Sequence, residues 1–537
     1  MLDSPADYPQ VNGTAVAEAA APMPLTQSHR VERCLSLVRS STGQLISLLG
    51  IALIVRLVWL LFTNFTYEDA FITFRFAERL AAGQGFVYNL GERIYGTTTP
   101  LLTLLLAGWL TIDPHAVVLG ARIIGLASGL AAIVLAWAAL GRLGITDARR
   151  FIPIALLACS DKLWVRDTGG METSLVICLM MIAWYAAIRG WPIRSGLLAG
   201  LLLWARIDLI VWVIALIITG WVVERRPPIR LMIVTALAYA PWLIFAALYF
   251  GDPLPYTITA KWQAYFVGAT TPYLDHLAII LRWLIPFSPP DRPGLEWLNY
   301  LCIVVLAVAA WGAREIRQVK WLAILGVFWG MEIVTLTLTR TTFQSRYFVP
   351  LWWATLLLFG LGLGSIWRSL SGVSVAARKW IGAAAIAGGL TILLGSGFDQ
   401  AVEYRDIQRF VNDGALKPIG LWLNSHTPPD ATVMLEPLGY IGYYADRPMI
   451  DEVGLISPPI VALKRDNVPL LDQVKIIQPD YIVIHCDDAL SWLDNAPNDF
   501  VQHYQHAASF NPLNYDLQGA SADLPRTACY EVWGPRR

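Results

Sequence analysis

NFTYEDAFITFRFAERLAAGQGFVYNLGERIYGTTTP, residues 64–100, decides how this chain is read. It directly follows the first long apolar run. Just past that membrane exit Glu68 and Asp69 stand side by side, where solvation is partial and carboxylates are costly unless used or paired. Phe71, Phe74, Ala77 and Leu80 recur at helical spacing, with Arg75, Glu78 and Arg79 between them. That spacing predicts an amphipathic helix lying on the membrane surface. Gly83, Gly85, Asn89 and Gly91 make a turn-rich connector, and Thr97-Thr98-Thr99-Pro100 breaks the chain before the next apolar run. A long polar loop that opens with an acidic pair is a place for chemistry. The plainer alternative is an ordinary juxtamembrane linker.

The composition supports the membrane setting. Of 537 residues 56% are hydrophobic and 15% charged, with a mean hydropathy of +0.52, more apolar surface than a soluble chain of this size needs. Lys+Arg and Asp+Glu both number 40, so no charge excess points to nucleic acid. The 23 Trp and 20 Tyr suit membrane interfaces, although Trp also serves as plain core. Residues 1–42, with Pro, Ala, Ser and Gln, read as a disordered cytoplasmic tail. The apolar run from Leu45 to Phe62 follows Arg30, Arg33 and Arg39 with no small-residue cleavage site after it, so it reads as an uncleaved anchor.

Apolar runs fall near 43–63, 101–111, 115–140, 151–164, 173–188, 195–205, 208–223, 231–250, 297–313, 321–338, 347–366 and 380–397. The second is short and opens at Pro100, and is taken as a further surface helix of a first outer loop spanning 64–114. About eleven crossings remain, several near the short limit. Basic clusters, among them Arg142/Arg149/Arg150, Arg225/Arg226/Arg230 and Arg314/Arg317/Lys320, occupy every second loop. The N-terminus is therefore expected in the cytoplasm and the 64–100 loop outside. Parity requires a hairpin at Arg206-Ile207-Asp208, with limbs short enough to line a cavity rather than lipid. The expected organisation is a mainly α transmembrane helix bundle over 43–397 and a small outer α/β domain over 398–537.

The loops on the outer side collect unusual polar residues: Arg166 to Glu172, Arg206 and Asp208, Gly251 to Tyr256 leading to Lys261, and Arg346-Tyr347. Charges near membrane depth usually face a cavity and carry function. Arg206 and Asp208 could equally pair only with each other, and Arg346 could be a headgroup anchor.

After residue 398 no further membrane run occurs. Short β-type segments (Thr432–Leu435, Tyr481–His485, Cys529–Trp533) alternate with helical ones (Pro418–Asn424, Pro469–Ile476). Residues 439–444, GYIGYY, could stack on a sugar ring, but a turn and helix packing the domain is the favoured reading. Cys486 and Cys529 both fall in this domain, where a disulfide is one of two open possibilities. There is no Walker loop, no HExxH and no G-x-S-x-G elbow, and the His residues are scattered, so neither a metal nor a cofactor is expected.

The stretch EDAFITFRFAERLAAGQGFVYNLGERIYGTTTP resembles the first outer loop of polytopic GT-C-fold glycosyltransferases. The likeness is greatest to the arabinofuranosyltransferase AftB-like group and more distant to the protein O-mannosyltransferases. GGMETSLVICLMMIAWYAA, LLLWARIDLIV, GDPLPYTITAK, SRYFVPLWW and MLEPLGYIGYYADRPMIDEVGLISP agree in order, so the resemblance runs from about residue 45 to the C-terminus.

The resemblance implies that the acidic residue opening the loop, by position Asp69, is the catalytic carboxylate. It also implies a polyprenyl-phosphate sugar as donor. Where relatives often carry Asp-Asp, this chain has Glu68-Asp69. Such a donor has a good leaving group, so the reaction needs a base for the acceptor hydroxyl and cations for the departing phosphate. Asp69 fills the first role, with attack in line and inversion. Arg206, Lys261 and Arg346 are candidates for the second, and Glu172, Asp208 and Tyr347 for the rest of the substrate site. Arg75 is expected either to pair Glu68 or Asp69 near the substrate or to anchor the surface. The expected partners are the lipid-linked donor, a glycan, lipid or protein acceptor, and membrane lipid. A flippase of lipid-linked sugars would use the same cavity without a base, and a non-catalytic scaffold would tolerate amides at 68–69.

Overall fold

The computed structural model describes residues 40–267, 272–285, 300–340, 345–489, 497–511 and 529–536. The described residues from Leu48 onward form one compact unit. The expected disordered tail falls almost wholly outside the described residues.

The protein is an integral membrane helix bundle joined to a small α/β domain. Among the described residues six helices are long and apolar enough to cross a bilayer: Ser41–Thr63 (α1), Val117–Arg142, Ile207–Glu224, Ile229–Phe250, Lys320–Leu338 and Ser345–Gly372. Asp161–Thr168 and Thr173–Ile188, bent by 106°, make a seventh if counted as one broken span. Exposed Leu61, Leu237 and Leu248 suit surroundings of lipid rather than water. The expected eleven crossings are not all matched by full-length helices. The runs at 101–111 and 195–205 form helices of 11 and 14 residues, Pro100–Leu110 and Pro192–Ala205. The run at 151–164 is broken by extended backbone at Ser160.

Small residues let the bundle close. A Cβ on Gly312 would fall on the Leu358 carbonyl oxygen, and one on Gly362 on that of Val308, so these two helices meet backbone to backbone. The expected break at 206–208 is present: Pro192–Ala205 ends at extended Arg206, and a 3-10 turn Ile207–Leu209 starts the next helix, Ile210–Glu224.

The helix Ala70–Ala81 (α2) corrects the membrane-surface expectation. Ala70 to Ala77 are all buried. Ile72 and Phe76, which lie between the predicted apolar positions, are buried as well, and so are Thr73 and Arg75, so both sides of the helix are covered by protein. It packs against the α/β domain: Phe71 meets Tyr440 with ring centroids 3.9 Å apart, and Tyr443 at 5.1 Å. Residues 439–444 form part of the helix Gly439–Ala445 (α3), so the favoured packing reading describes that stretch. The boundary expected at 398 falls inside one helix, Val375–Asp406.

The α/β domain holds a five-stranded sheet. In chain order its strands are β1 Val433–Leu435, β2 Met449–Asp451, β3 Tyr481–His485, β4 Tyr504–Phe510 and β5 Tyr530–Pro535, arranged β2-β1-β3-β5-β4. β1 runs parallel to β2 and β3, with Val433 opposite Met449 and Tyr481, and β5 is antiparallel to β3 and β4. Cys486 and Cys529 form a disulfide at the β3–β5 end, with Cα atoms 5.4 Å apart.

Candidate active site

The chain leaves α1 through a loop fixed by polar ties. The Thr66 N–H donates to Gln408 (3.0 Å), the Asn412 amide donates to the Thr66 carbonyl (3.1 Å), and the Tyr67 N–H donates to the Gly169 carbonyl (3.0 Å). The next two residues are the acidic pair. Asp69 stands at the start of α2 without capping it, which leaves its carboxylate for Arg346. Arg346 Nη1 donates to Asp69 Oδ2 at 2.7 Å.

Arg346 sits on the short 3-10 turn Ser345–Phe348, and Arg166 donates to the hydroxyl of Ser345 beside it. Around this pair the other cations converge. Arg206 forks onto Asp208, with Nε 3.0 Å from Oδ1, lies 3.8 Å from Glu172, and donates to the Arg346 carbonyl at 3.3 Å. Lys261, closing the helix Tyr256–Lys261, donates to the Tyr347 hydroxyl at 3.2 Å, and the Arg206 guanidinium lies 4.8 Å from the centre of that ring.

Two cavities meet here. One, of about 130 Å³, is walled by Glu68, Asp69, Thr97, Thr99, Tyr265, Glu436 and Asp451 among others. The second, of about 370 Å³, is walled by Arg206, Asp208 and Tyr347 and is bounded by Leu254 and Ile258. Thr98, Glu172, Thr257, Lys261 and Arg346 belong to both. Glu68, Asp69, Glu436 and Asp451 line the first only and Arg206 the second only, while Glu172, Lys261 and Arg346 stand at the junction.

The adjacent carboxyls are shifted in opposite directions. Burial, with the Asp69 charge beside it, pushes Glu68 well above the usual carboxylate range. Burial pushes Asp69 up as well, but the Arg346 and Lys261 charges outweigh it and hold Asp69 below its ordinary value. Of the pair, Glu68 is therefore the one that holds a proton more readily and Asp69 the one that holds the charge more readily. Glu68 also has a structural role: its Oε1 accepts the backbone N–H groups of Gly439 and Tyr440 at the start of α3. Gly439 is required there, because a Cβ would fall on the Glu68 carbonyl oxygen.

Of the residues expected from sequence, Glu68, Asp69, Glu172, Arg206, Asp208, Lys261, Arg346 and Tyr347 all line one or both cavities. Arg75 is the correction. It is buried away from both carboxylates and donates to the carbonyls of Tyr88 (3.1 Å), Arg447 (2.8 Å) and Gly442. It faces the α/β domain because α2 is interior, and there unpaired carbonyls need a donor. Sequence reading missed Thr98, Thr257, Tyr265, Glu436 and Asp451. The Thr97-Thr98-Thr99 run was the one available signal for the first, read only as a break. Thr257 lies within the singled-out stretch 251–261 and Tyr265 four residues after it, while Glu436 and Asp451 are brought in by the docking of the α/β domain.

Comparison with known proteins gives the fold. A family model described as "Domain of unknown function (DUF8728)" matches residues 402–533. No curated protein matches the chain. Among solved structures, ArnT from Cupriavidus metallidurans bound to undecaprenyl phosphate is similar with a TM-score of 0.57 at 14% identity, over 92% of this chain and 98% of that one. The oligosaccharyltransferase of Archaeoglobus fulgidus in the apo form is similar with a TM-score of 0.53 at 13% identity, over 83% of this chain and 69% of that one. The chain therefore has the GT-C fold.

Proposed function

We propose that this protein is a membrane glycosyltransferase that moves a sugar from a polyprenyl-phosphate donor to a cell-envelope acceptor, with inversion and with Asp69 as general base. The observation that carries the reading is the Asp69–Arg346 pair where the cavity holding Asp69 meets the cavity holding Arg206, with Lys261 lining both. The undecaprenyl phosphate in the ArnT structure supports a lipid-linked donor on this fold.

The donor phosphate sits against Lys261, Arg206 and Arg346, and the apolar flank at Leu254 and Ile258 admits the isoprenoid tail. The acceptor hydroxyl enters the smaller cavity and attacks the anomeric carbon. Its oxygen bonds to that carbon, its proton passes to an Asp69 oxygen, and the bond to the phosphate oxygen breaks with its electron pair leaving on the phosphate. Arg346 spans both events, since one nitrogen holds Asp69 and the others remain for the leaving group. Held low, Asp69 is a weak base, which suits a reaction whose leaving group needs little help. Glu172 and Asp208 orient Arg206, and Glu68 supports the loop. The reading places the α/β domain and the Asp69 cavity outside the cytoplasm, with the N-terminus inside. The arabinofuranosyltransferase-like group remains the proposed subclass.

The test is sugar transfer by membranes containing the protein, offered a panel of polyprenyl-phosphate sugars with cell-envelope acceptors. Transfer from at least one donor is expected. Carriage of the donor across the bilayer without any transfer would favour the flippase reading instead.

A further inference from the structure

A third cavity lies at the far end of the helix that carries Asp208. It has a volume of about 600 Å³ and is walled by Trp221, Val222 and Arg225 from the end of that helix, and by Ile316, Arg317, Lys320 and Ala323 from the turn before the span Lys320–Leu338. The span Ile207–Glu224 has 18 residues. At about 1.5 Å of rise per residue it places this cavity about 27 Å from the Arg206–Asp208 turn, close to the thickness of a hydrocarbon core. The cavity therefore sits at the opposite membrane interface from the Asp69 site.

Its chemistry suits one kind of occupant. Arg225, Arg317 and Lys320 come from two different elements and all line it. Among the described residues the nearby carboxylate Glu315 is taken by Arg149 at 3.2 Å, and the exposed Glu224 does not line the cavity. Trp221 and Val222, 56% and 52% exposed, form an apolar side to the same space. Cations above an apolar wall at membrane depth match a phosphate headgroup above its acyl chains, and each such cation near a bilayer adds about 1 kcal/mol of attraction to anionic lipid. Basic residues at a cytoplasmic interface are common and need no site. Here, however, the three converge from two elements on a single open groove beside an exposed tryptophan.

We infer that this cavity is a binding site for the headgroup of an anionic glycerophospholipid, with the acyl chains lying against Trp221 and Val222. The site is separate from the Asp69 site and does not depend on the transfer reaction.

The test uses the full-length protein purified in mild detergent, with retained lipid measured by native mass spectrometry in equal mixtures of phosphatidylglycerol and phosphatidylcholine. Wild type is expected to retain phosphatidylglycerol over phosphatidylcholine by on the order of tenfold. Arg225→Gln/Arg317→Gln/Lys320→Gln should lose that preference, whereas Arg142→Gln/Arg189→Gln/Arg194→Gln, basic residues of other loops, should keep it. If the first triple variant does not fold, Lys320→Gln and Trp221→Ala each serve singly and should each weaken the preference several-fold. The inference is overturned if the cavity variants retain phosphatidylglycerol as wild type does, or if wild type shows no preference. It is equally overturned if undecaprenyl phosphate, or inorganic phosphate at equal concentration, displaces the phosphatidylglycerol, since the cavity would then belong to the lipid carrier or to free phosphate.

Discussion

Arg346 Nη1 lies 2.7 Å from Asp69 Oδ2, joining two residues 277 positions apart in sequence. One comes from the first loop and the other from the turn that opens a late span. The contact ties the proposed base to the proposed phosphate site, so a change at one end must be felt at the other.

Arg346→Ala should therefore act twice. It removes a phosphate cation, and kcat/KM is expected to fall by roughly 10²–10³. It also removes the largest of the charges that hold Asp69 down, so the acid limb of the pH–rate profile should move to higher pH. In wild type, Asp69 lies below its ordinary value of about 3.9 and the rate should stay flat on the acid side through about pH 5. Arg346→Lys keeps the charge but loses the fork, and should recover only part of the rate. Steady-state kinetics across pH measure both effects.

Glu68→Gln should leave most of the activity. An amide oxygen can still accept the Gly439 and Tyr440 N–H groups, and a protonated Glu68 already resembles it. Glu68→Ala strands those donors and should cost about 1–3 kcal/mol of stability. Comparing transfer and thermal unfolding for the two variants separates a structural Glu68 from a catalytic one.

Arg75→Ala is expected to unfold the docking of α2 onto the α/β domain rather than to alter chemistry. Three backbone carbonyls lose their donor, a loss of about 2–4 kcal/mol. The expected signature is a lower Tm with KM for the donor unchanged in the fraction that remains folded.

The transmembrane character, the break at 206–208, three of the five strands and, of the cavity-lining charges, Glu68, Asp69, Glu172, Asp208, Arg206, Lys261 and Arg346 were legible in the sequence. Each leaves a local mark: an apolar run, a charge at membrane depth, or a β-type stretch between Pro and Gly. Arg75 and α2 were misread because the helix is amphipathic in sequence, and nothing local shows that the α/β domain covers the side that carries Arg75. Glu436 and Asp451 were not legible, since their approach to Asp69 depends on how the α/β domain docks. One helix length also differed from its run length, because Ser160 adopts extended backbone inside the 151–164 stretch.

Glu452, in the α/β domain, offers a pH test of stability. Burial, and then the neighbouring Glu436, raise it to about 8. A carboxyl raised on folding stabilises the fold while protonated. Its contribution is full below its unfolded value near 4.3 and is lost as pH rises through about 8. Glu452→Gln should therefore match wild type at pH 4 and exceed it by a few degrees in Tm above pH 8. Thermal unfolding of the two proteins across this range checks it.

The most direct test of the central claim is transfer by Asp69→Asn with the donor that wild type accepts. The amide keeps the shape and can still meet Arg346, but it cannot take a proton. Transfer is expected to drop by roughly 10²–10⁴ while donor binding and Tm are preserved. Undiminished transfer by this variant would contradict the assignment of Asp69 as the base.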